Sequence, residues 1–134
     1  MSATKGFLIR YANTPWVRGS HDCVLFIQKY TQEVWGKPYA DPSKYPFHDF
    51  KTAYKAFRKI CKDHNVKTFE GVLDQHYHRV GLPVEGGLVA KPDVDGLTGY
   101  TYGVCHDGFG YFVDTKGLTA LELNPTTDVY WSIE

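Results

Sequence analysis

The first half of the chain places its hydrophobic residues with the period of an amphipathic helix. Over residues 49–64 they line one side and lysine and arginine side chains cover the other, which predicts a helix with one buried face. The same spacing predicts helices over 5–13, 22–35 and 68–80, and a proline follows each within three residues. His48 is expected to cap the helix that starts at residue 49. That helix carries its apolar stripe on Phe50, Ala53, Tyr54, Phe57, Ile60 and Cys61.

The pattern changes at Gly86, where short runs of β-branched and aromatic residues replace the helical spacing. Strands are predicted at residues 88–90, 100–106, 111–114, 118–123 and 129–133, and the Asp-Gly and Lys-Gly pairs between them suit tight hairpins. Helices first and strands afterwards indicate an α+β fold with a small antiparallel sheet of about five strands. We expect one domain over 1–134, helical to about residue 82 and sheet from about residue 86.

Composition and charge narrow the classes of protein. A chain of 134 residues with 43% hydrophobic and 16% aromatic residues is near the commonest size for one domain and can build one core. Fifteen basic residues balance fifteen acidic ones, so nothing predicts a nucleic-acid partner. The chain lacks the long apolar run of a membrane span. It also lacks a secretory signal near its start, so we expect synthesis in a cytoplasm without a signal peptide.

The cysteines and histidines give no expected metal or cofactor site. Cys23, Cys61 and Cys105 show no C-x-x-C spacing, so we expect three free thiols. His76 and His78 stand two residues apart in a predicted helix and would point to different faces, which excludes a shared metal ion on that helix.

Cys23 is the most informative residue because it opens a predicted helix. The free N–H groups and the dipole of a helix N-terminus favour a thiolate, so Cys23 is a candidate nucleophile; a small packing residue is the alternative. His21 lies two residues earlier, where the geometry for proton transfer is poor and a role in holding the loop fits better. His106, in the sheet half, is a further candidate base, and its alternative role is an exposed hairpin residue.

Several motifs together resemble the NlpC-like branch of the papain-fold cysteine peptidases. The chain has Trp16-x-x-Gly-Ser-His-Asp-Cys23 at a helix start, then Gly86-Gly-Leu-Val89, then Tyr102-Gly-Val104. The likeness is closer to a phage-encoded offshoot, found among tail genes, that has a Trp-x-x-Gly-x-His-Asp-Cys opening. That offshoot also has a late Gly-Leu element and a tryptophan near the C-terminus, which Gly117-Leu118 and Trp131 match.

The resemblance implies a papain-like fold with Cys23 at the nucleophile position. It also implies that Thr101 stands where the family has its catalytic histidine, and Gly87 where it has an aspartate. Threonine cannot act as a base near neutral pH. If Thr101 faces Cys23, alternation along the strand predicts that His106 faces away.

This resemblance implies that the protein is a structural or docking component of a bacteriophage tail tip, built on a degenerate peptidase fold. Its partners would be other tail or hub proteins, with peptidoglycan as a further one, and its location the virion. The alternative is an active cysteine amidase or endopeptidase that cleaves peptidoglycan stem peptides during infection. A third hypothesis is an unrelated cytoplasmic domain, such as an acyl-transfer enzyme or a binding module.

Overall fold

The computed structural model describes residues 2–134, without the side chain of Pro42. The helices are α1 (Ala3–Tyr11), α2 (Cys23–Tyr30), α3 (Phe50–Asp63) and α4 (Phe69–His76). A π-helical turn (Thr31–Trp35) extends α2, and a short 3₁₀ turn (Pro42–Lys44) lies in the connector before α3. The strands are β1 (His78–Val80), β2 (Leu88–Pro92), β3 (Tyr100–His106), β4 (Phe109–Asp114), β5 (Gly117–Glu122) and β6 (Val129–Ser132).

Each α-helix begins where a side chain accepts a hydrogen bond from the backbone N–H three residues later. The capping residues are Ser2, Asp22, Asp49 and Thr68. The prediction that His48 caps α3 is wrong. Asp49 does so instead, because its carboxylate accepts from the Thr52 N–H while the Thr52 hydroxyl accepts from the Asp49 N–H.

The predicted fourth helix, 68–80, is too long. It ends at His76, Tyr77 turns to an extended conformation, and residues 78–80 form β1. The Tyr77 ring is buried and its hydroxyl donates to the Lys37 carbonyl at 2.6 Å, which fixes the change of direction. β1 pairs with β6 from His78↔Ser132 onwards, and a partner so distant in sequence leaves no local signal.

The six strands form one antiparallel sheet in the order β1-β6-β2-β3-β4-β5, which confirms the α+β class. The helices cover one face, where Leu88, Tyr102, Val104 and Trp131 join the main hydrophobic core. The opposite face carries a smaller buried cluster of Val89, Cys105, Phe112 and Tyr130. Within residues 2–134, no helix has both the length and the apolar character that crossing a membrane requires.

The Tyr30 hydroxyl joins the helical half to the sheet half. Tyr30 is fully buried, and its hydroxyl donates to the Gly86 carbonyl at 2.6 Å, just before β2. The same oxygen accepts from the Trp35 indole at 3.1 Å and lies 2.8 Å from the Thr4 hydroxyl. One oxygen therefore connects α1, α2, the π-helical turn and the start of the sheet.

We expect Tyr30→Phe to lower the free energy of unfolding by about 2–3 kcal/mol, because it leaves up to three buried polar groups without a partner. Tyr54→Phe is the matched control: Tyr54 is exposed on α3 and should change stability by less than about 0.5 kcal/mol. Urea denaturation measures both values. Equal effects of the two substitutions would contradict the role given to Tyr30.

Candidate functional site around Cys23

The segment before α2 is organised by the buried carboxylate of Asp22. Asp22 has no exposed surface, and its two oxygens accept from the Gly19 N–H at 3.1 Å and the Leu25 N–H at 3.0 Å. The Arg18 guanidinium lies 3.7 Å from the same carboxylate. The side chain therefore closes the loop and caps the helix, which fixes the residue that follows it, Cys23.

The Trp-x-x-Gly part of the motif also has a structural cause. Arg18 lies over the Trp16 ring, 4.8 Å from its centroid, which holds the guanidinium beside Asp22. Gly19 has a φ of 87° and packs against the backbone of Phe47, where a Cβ would collide with the carbonyl oxygen. A side chain at residue 19 is thus excluded both by conformation and by space.

His21 holds the loop and does not face Cys23 as a base. It is buried, stacks on Tyr11 with ring centroids 5.4 Å apart, and its Nδ1 lies 3.0 Å from the Lys29 ammonium. Burial and, after it, the Lys29 charge lower the His21 pKa, so the ring is neutral and Nδ1 accepts from Lys29. Its Nε2 finds no hydrogen-bond partner within the described part of the chain.

Cys23 opens α2 and lines a cleft of about 250 Å³ between the first half of β3 and the end of β4. The cleft exists because β3 and β4 pair only from Val104↔Tyr111 to His106↔Phe109 and separate beyond that point. Other residues that line it are Trp16, Arg18, Asp93, Asp95, Tyr100, Thr101 and Asp114.

The Cys23 thiol is protonated near neutral pH. Burial raises its pKa to about 11, and the negative charge of Asp22 adds to the shift. Contacts with the Tyr102 backbone and the Thr101 side chain, and the charge of Arg18, lower the pKa by less than burial raises it. The expectation that the helix N-terminus favours a thiolate is therefore outweighed by desolvation.

Thr101 lies beside the Cys23 thiol at the edge of the cleft. The hydroxyl of Thr101 can donate to the sulfur but cannot remove its proton near neutral pH. Among the residues that line the cleft there is no histidine. The described structure thus supplies a thiol with a hydroxyl beside it and no imidazole base.

His106 lies away from Cys23, but the alternation argument for this was wrong. His106 lies on the same, helix-covered face of the sheet as Tyr102 and Val104. Cys105 lies in the buried cluster on the opposite face. Distance along β3 separates His106 from the cleft: four residues beyond Tyr102 correspond to about 13 Å.

His106 is held by Glu85 and Asp107. Its Nδ1 lies 2.6 Å from the Glu85 carboxylate and its Nε2 lies 3.4 Å from Asp107. Burial raises the Glu85 pKa, but hydrogen bonds from His106 and the Asp107 N–H together outweigh it and leave that pKa lowered. Within residues 2–134, the group of Glu85, His106 and Asp107 is the one in which three side chains have metal-binding atoms within 4.8 Å of one another. Its internal hydrogen bonds tie the β3–β4 turn to the loop before β2.

Comparison with known proteins adds one result. The family described as a domain of unknown function (DUF6950) matches residues 2–133. The chain belongs to this family. No curated protein and no solved structure matches the chain.

The three cysteines of this DUF6950 domain are free, as predicted, and Cys23 should be a slow nucleophile. A rise in pKa from 9.0 to about 11 lowers the thiolate fraction about 100-fold at neutral pH. We therefore expect iodoacetamide to modify Cys23 about 100-fold more slowly in the folded protein than in urea. The rate should rise with pH up to about 11, and peptide mass spectrometry separates Cys23 from the other two thiols. Rapid labelling of the folded protein at neutral pH would contradict this environment.

We expect Asp22→Ala to destabilise the DUF6950 domain by about 2–4 kcal/mol. The change removes a helix cap and leaves the Gly19 N–H and the Arg18 guanidinium without their partner. Asp22→Asn is the matched control, since its amide oxygen still accepts from one N–H, and it should lose less. Urea denaturation of both variants tests the order, and an equal loss would assign the effect to charge alone.

Proposed function

We propose that this DUF6950 protein is a structural or docking component of a bacteriophage tail tip, on an NlpC-like fold without peptidase activity. The observation that carries the loss of activity is the pairing of Cys23 with Thr101. The tail-tip role rests on the resemblance to the phage-encoded offshoot. The element order agrees with it: Asp22-Cys23 opens a helix packed on β3, and the Gly-Gly-Leu-Val segment enters the neighbouring β2.

The chemistry of the cleft argues against peptide hydrolysis. With a pKa of about 11, roughly one Cys23 in 10,000 is a thiolate at pH 7. A cysteine peptidase also needs a group that protonates the leaving amine, and such help contributes roughly 10²–10⁴-fold to the rate. Thr101 cannot serve, His21 is bound to Lys29, and His106 pairs with Glu85 at the other end of β3.

The outer face of α3 supports a docking role. Phe50 and Tyr54 belong to the apolar stripe predicted from the sequence, but they are 60% and 51% exposed, whereas Ala53, Phe57 and Ile60 are buried. The two aromatic rings stand four residues apart on one helix face, so they form an apolar contact surface beside basic side chains. A neighbouring tail protein could cover this surface.

The alternative, an active cysteine amidase or endopeptidase, is favoured by one observation: Cys23 borders a polar cleft large enough to admit part of a peptide. Turnover by cysteine–histidine chemistry would require an imidazole that reaches the cleft after a rearrangement.

We expect the purified protein to release no stem-peptide fragments from cell walls at an enzymatic rate. Mass spectrometry of soluble fragments measures release, with Cys23→Ser as the matched control. Wild-type and variant should give the same background, because no histidine lines the cleft beside Cys23. Fragment release that disappears in Cys23→Ser would overturn the structural proposal, and loss in His106→Ala as well would assign that histidine as the base.

The docking role itself predicts that the protein is present in purified phage particles, which mass spectrometry can measure. The double variant Phe50→Ser/Tyr54→Ser should be incorporated less than wild type, and Cys23→Ser should be incorporated normally. A protein that is absent from the particles would contradict the proposal.

A further inference from the structure

Two histidines that are 12 residues apart in sequence meet where α3 and α4 end. His64 is the C-cap of α3 and His76 is the last residue of α4, and their Nε2 atoms lie 3.0 Å apart. The side-chain amide of Gln75 donates to the His64 carbonyl at 2.7 Å, which ties the two helix ends together. The two imidazoles are therefore positioned by backbone structure and not only by their own contact.

The hydrogen bonds decide the tautomer of His64. Its Nδ1 lies 2.8 Å from the Ile60 carbonyl, which can only accept, so Nδ1 carries a proton. In the neutral ring, Nε2 of His64 then holds a lone pair directed at His76. The shared proton between the two Nε2 atoms consequently belongs to His76.

We propose that His64 and His76 form a binding site for a divalent first-row transition-metal ion, with the two Nε2 atoms as neighbouring ligands and water completing the coordination. Two Nε2 atoms from different helices meet at one point, and this convergence carries the inference; their 3.0 Å separation is that of the N–H···N hydrogen bond between them. Two nitrogens bound at about 2.1 Å and at a right angle to each other also stand about 3 Å apart. An ion would take the place of the shared proton, and the exposed His76 ring would turn so that both lone pairs point at the ion, in the tetragonal geometry of Cu²⁺ and Ni²⁺, for which imidazole is a preferred ligand.

The neighbouring groups leave the Nε2 atom of each ring available to a metal ion. The bond from His64 Nδ1 to a backbone carbonyl is the usual support of a metal-binding histidine, because it leaves Nε2 free and orients the ring. His76 is exposed, so its proton can pass from Nε2 to Nδ1 through water, and both rings remain neutral when the ion binds.

The sequence gives no sign of this site. Spacing along one helix excludes a shared metal for His76 and His78, and His78 lies in β1. The pair arises only because α4 folds back on α3. A bound ion would connect the ends of the two helices, and it would stabilise the folded protein by mass action.

The test is calorimetric titration of the tag-free protein with NiCl₂ near neutral pH. Ni²⁺ is the probe because Cu²⁺ could react with the three free thiols. We expect one ion per chain, and at least about tenfold weaker binding in His64→Ala and in His76→Ala. His78→Ala is the matched control and should stay within about twofold of wild type. Near-UV circular dichroism identifies any variant that fails to fold.

A second readout and a second control keep the proposal open to contradiction. Ni²⁺ should raise the melting temperature of wild type and of His78→Ala, and leave that of the two site variants unchanged. Binding that survives in His64→Ala and His76→Ala but disappears in His106→Ala would move the site to the Glu85–His106–Asp107 group and overturn the proposal. The absence of 1:1 binding to the wild-type protein would overturn it as well.

Discussion

The hydroxyl of Tyr30 uses its whole hydrogen-bonding capacity inside the protein. It donates to the Gly86 carbonyl, accepts from the Trp35 indole and contacts the Thr4 hydroxyl. Since β2 begins two residues after Gly86, this oxygen sets the position of α2 relative to the sheet. The other end of α2 is Cys23, about 10 Å away along the helix axis, so the place of the thiol beside β3 follows from the same contact.

Burial, and after it the charge of Asp22, keep the Cys23 thiol protonated. A buried carboxylate that caps a helix stabilises the loop before it, but its negative charge stands next to the thiol in a region of low dielectric. Burial and this negative charge both favour the protonated sulfur, which explains why a cysteine at a helix N-terminus is not activated here. The cleft beside Cys23 is lined by Thr101 and three carboxylates, and no imidazole lies among its lining residues.

The family resemblance drew attention to the segment from Trp16 to Cys23, but the structure gives the reason for the residues in it. The Trp-x-x-Gly-x-His-Asp-Cys opening has a structural cause at nearly every position: Trp16 supports Arg18, Gly19 admits the Phe47 backbone, His21 stacks on Tyr11, and Asp22 caps α2. These residues are mainly part of the scaffold. Thr101 lies beside Cys23 in the cleft, whereas the orientation inferred for His106 was wrong, because β3 and β4 separate and Cys23 meets the strand at that gap.

The sequence by itself determined the features that depend on residues within a few positions of one another. Helix periodicity, the Asp-Gly hairpin turn and the succession of helices before strands arise from contacts of that range, and the α+β class follows from them. Only the tertiary structure decided the features that join distant segments. β1 exists because it pairs with β6, and His64 meets His76 because α4 folds back on α3. Cys23 keeps its proton because packing takes much of the surroundings of this half-buried thiol out of water. Burial and long-range contacts depend on the whole packed chain, so no local pattern in the sequence reports them.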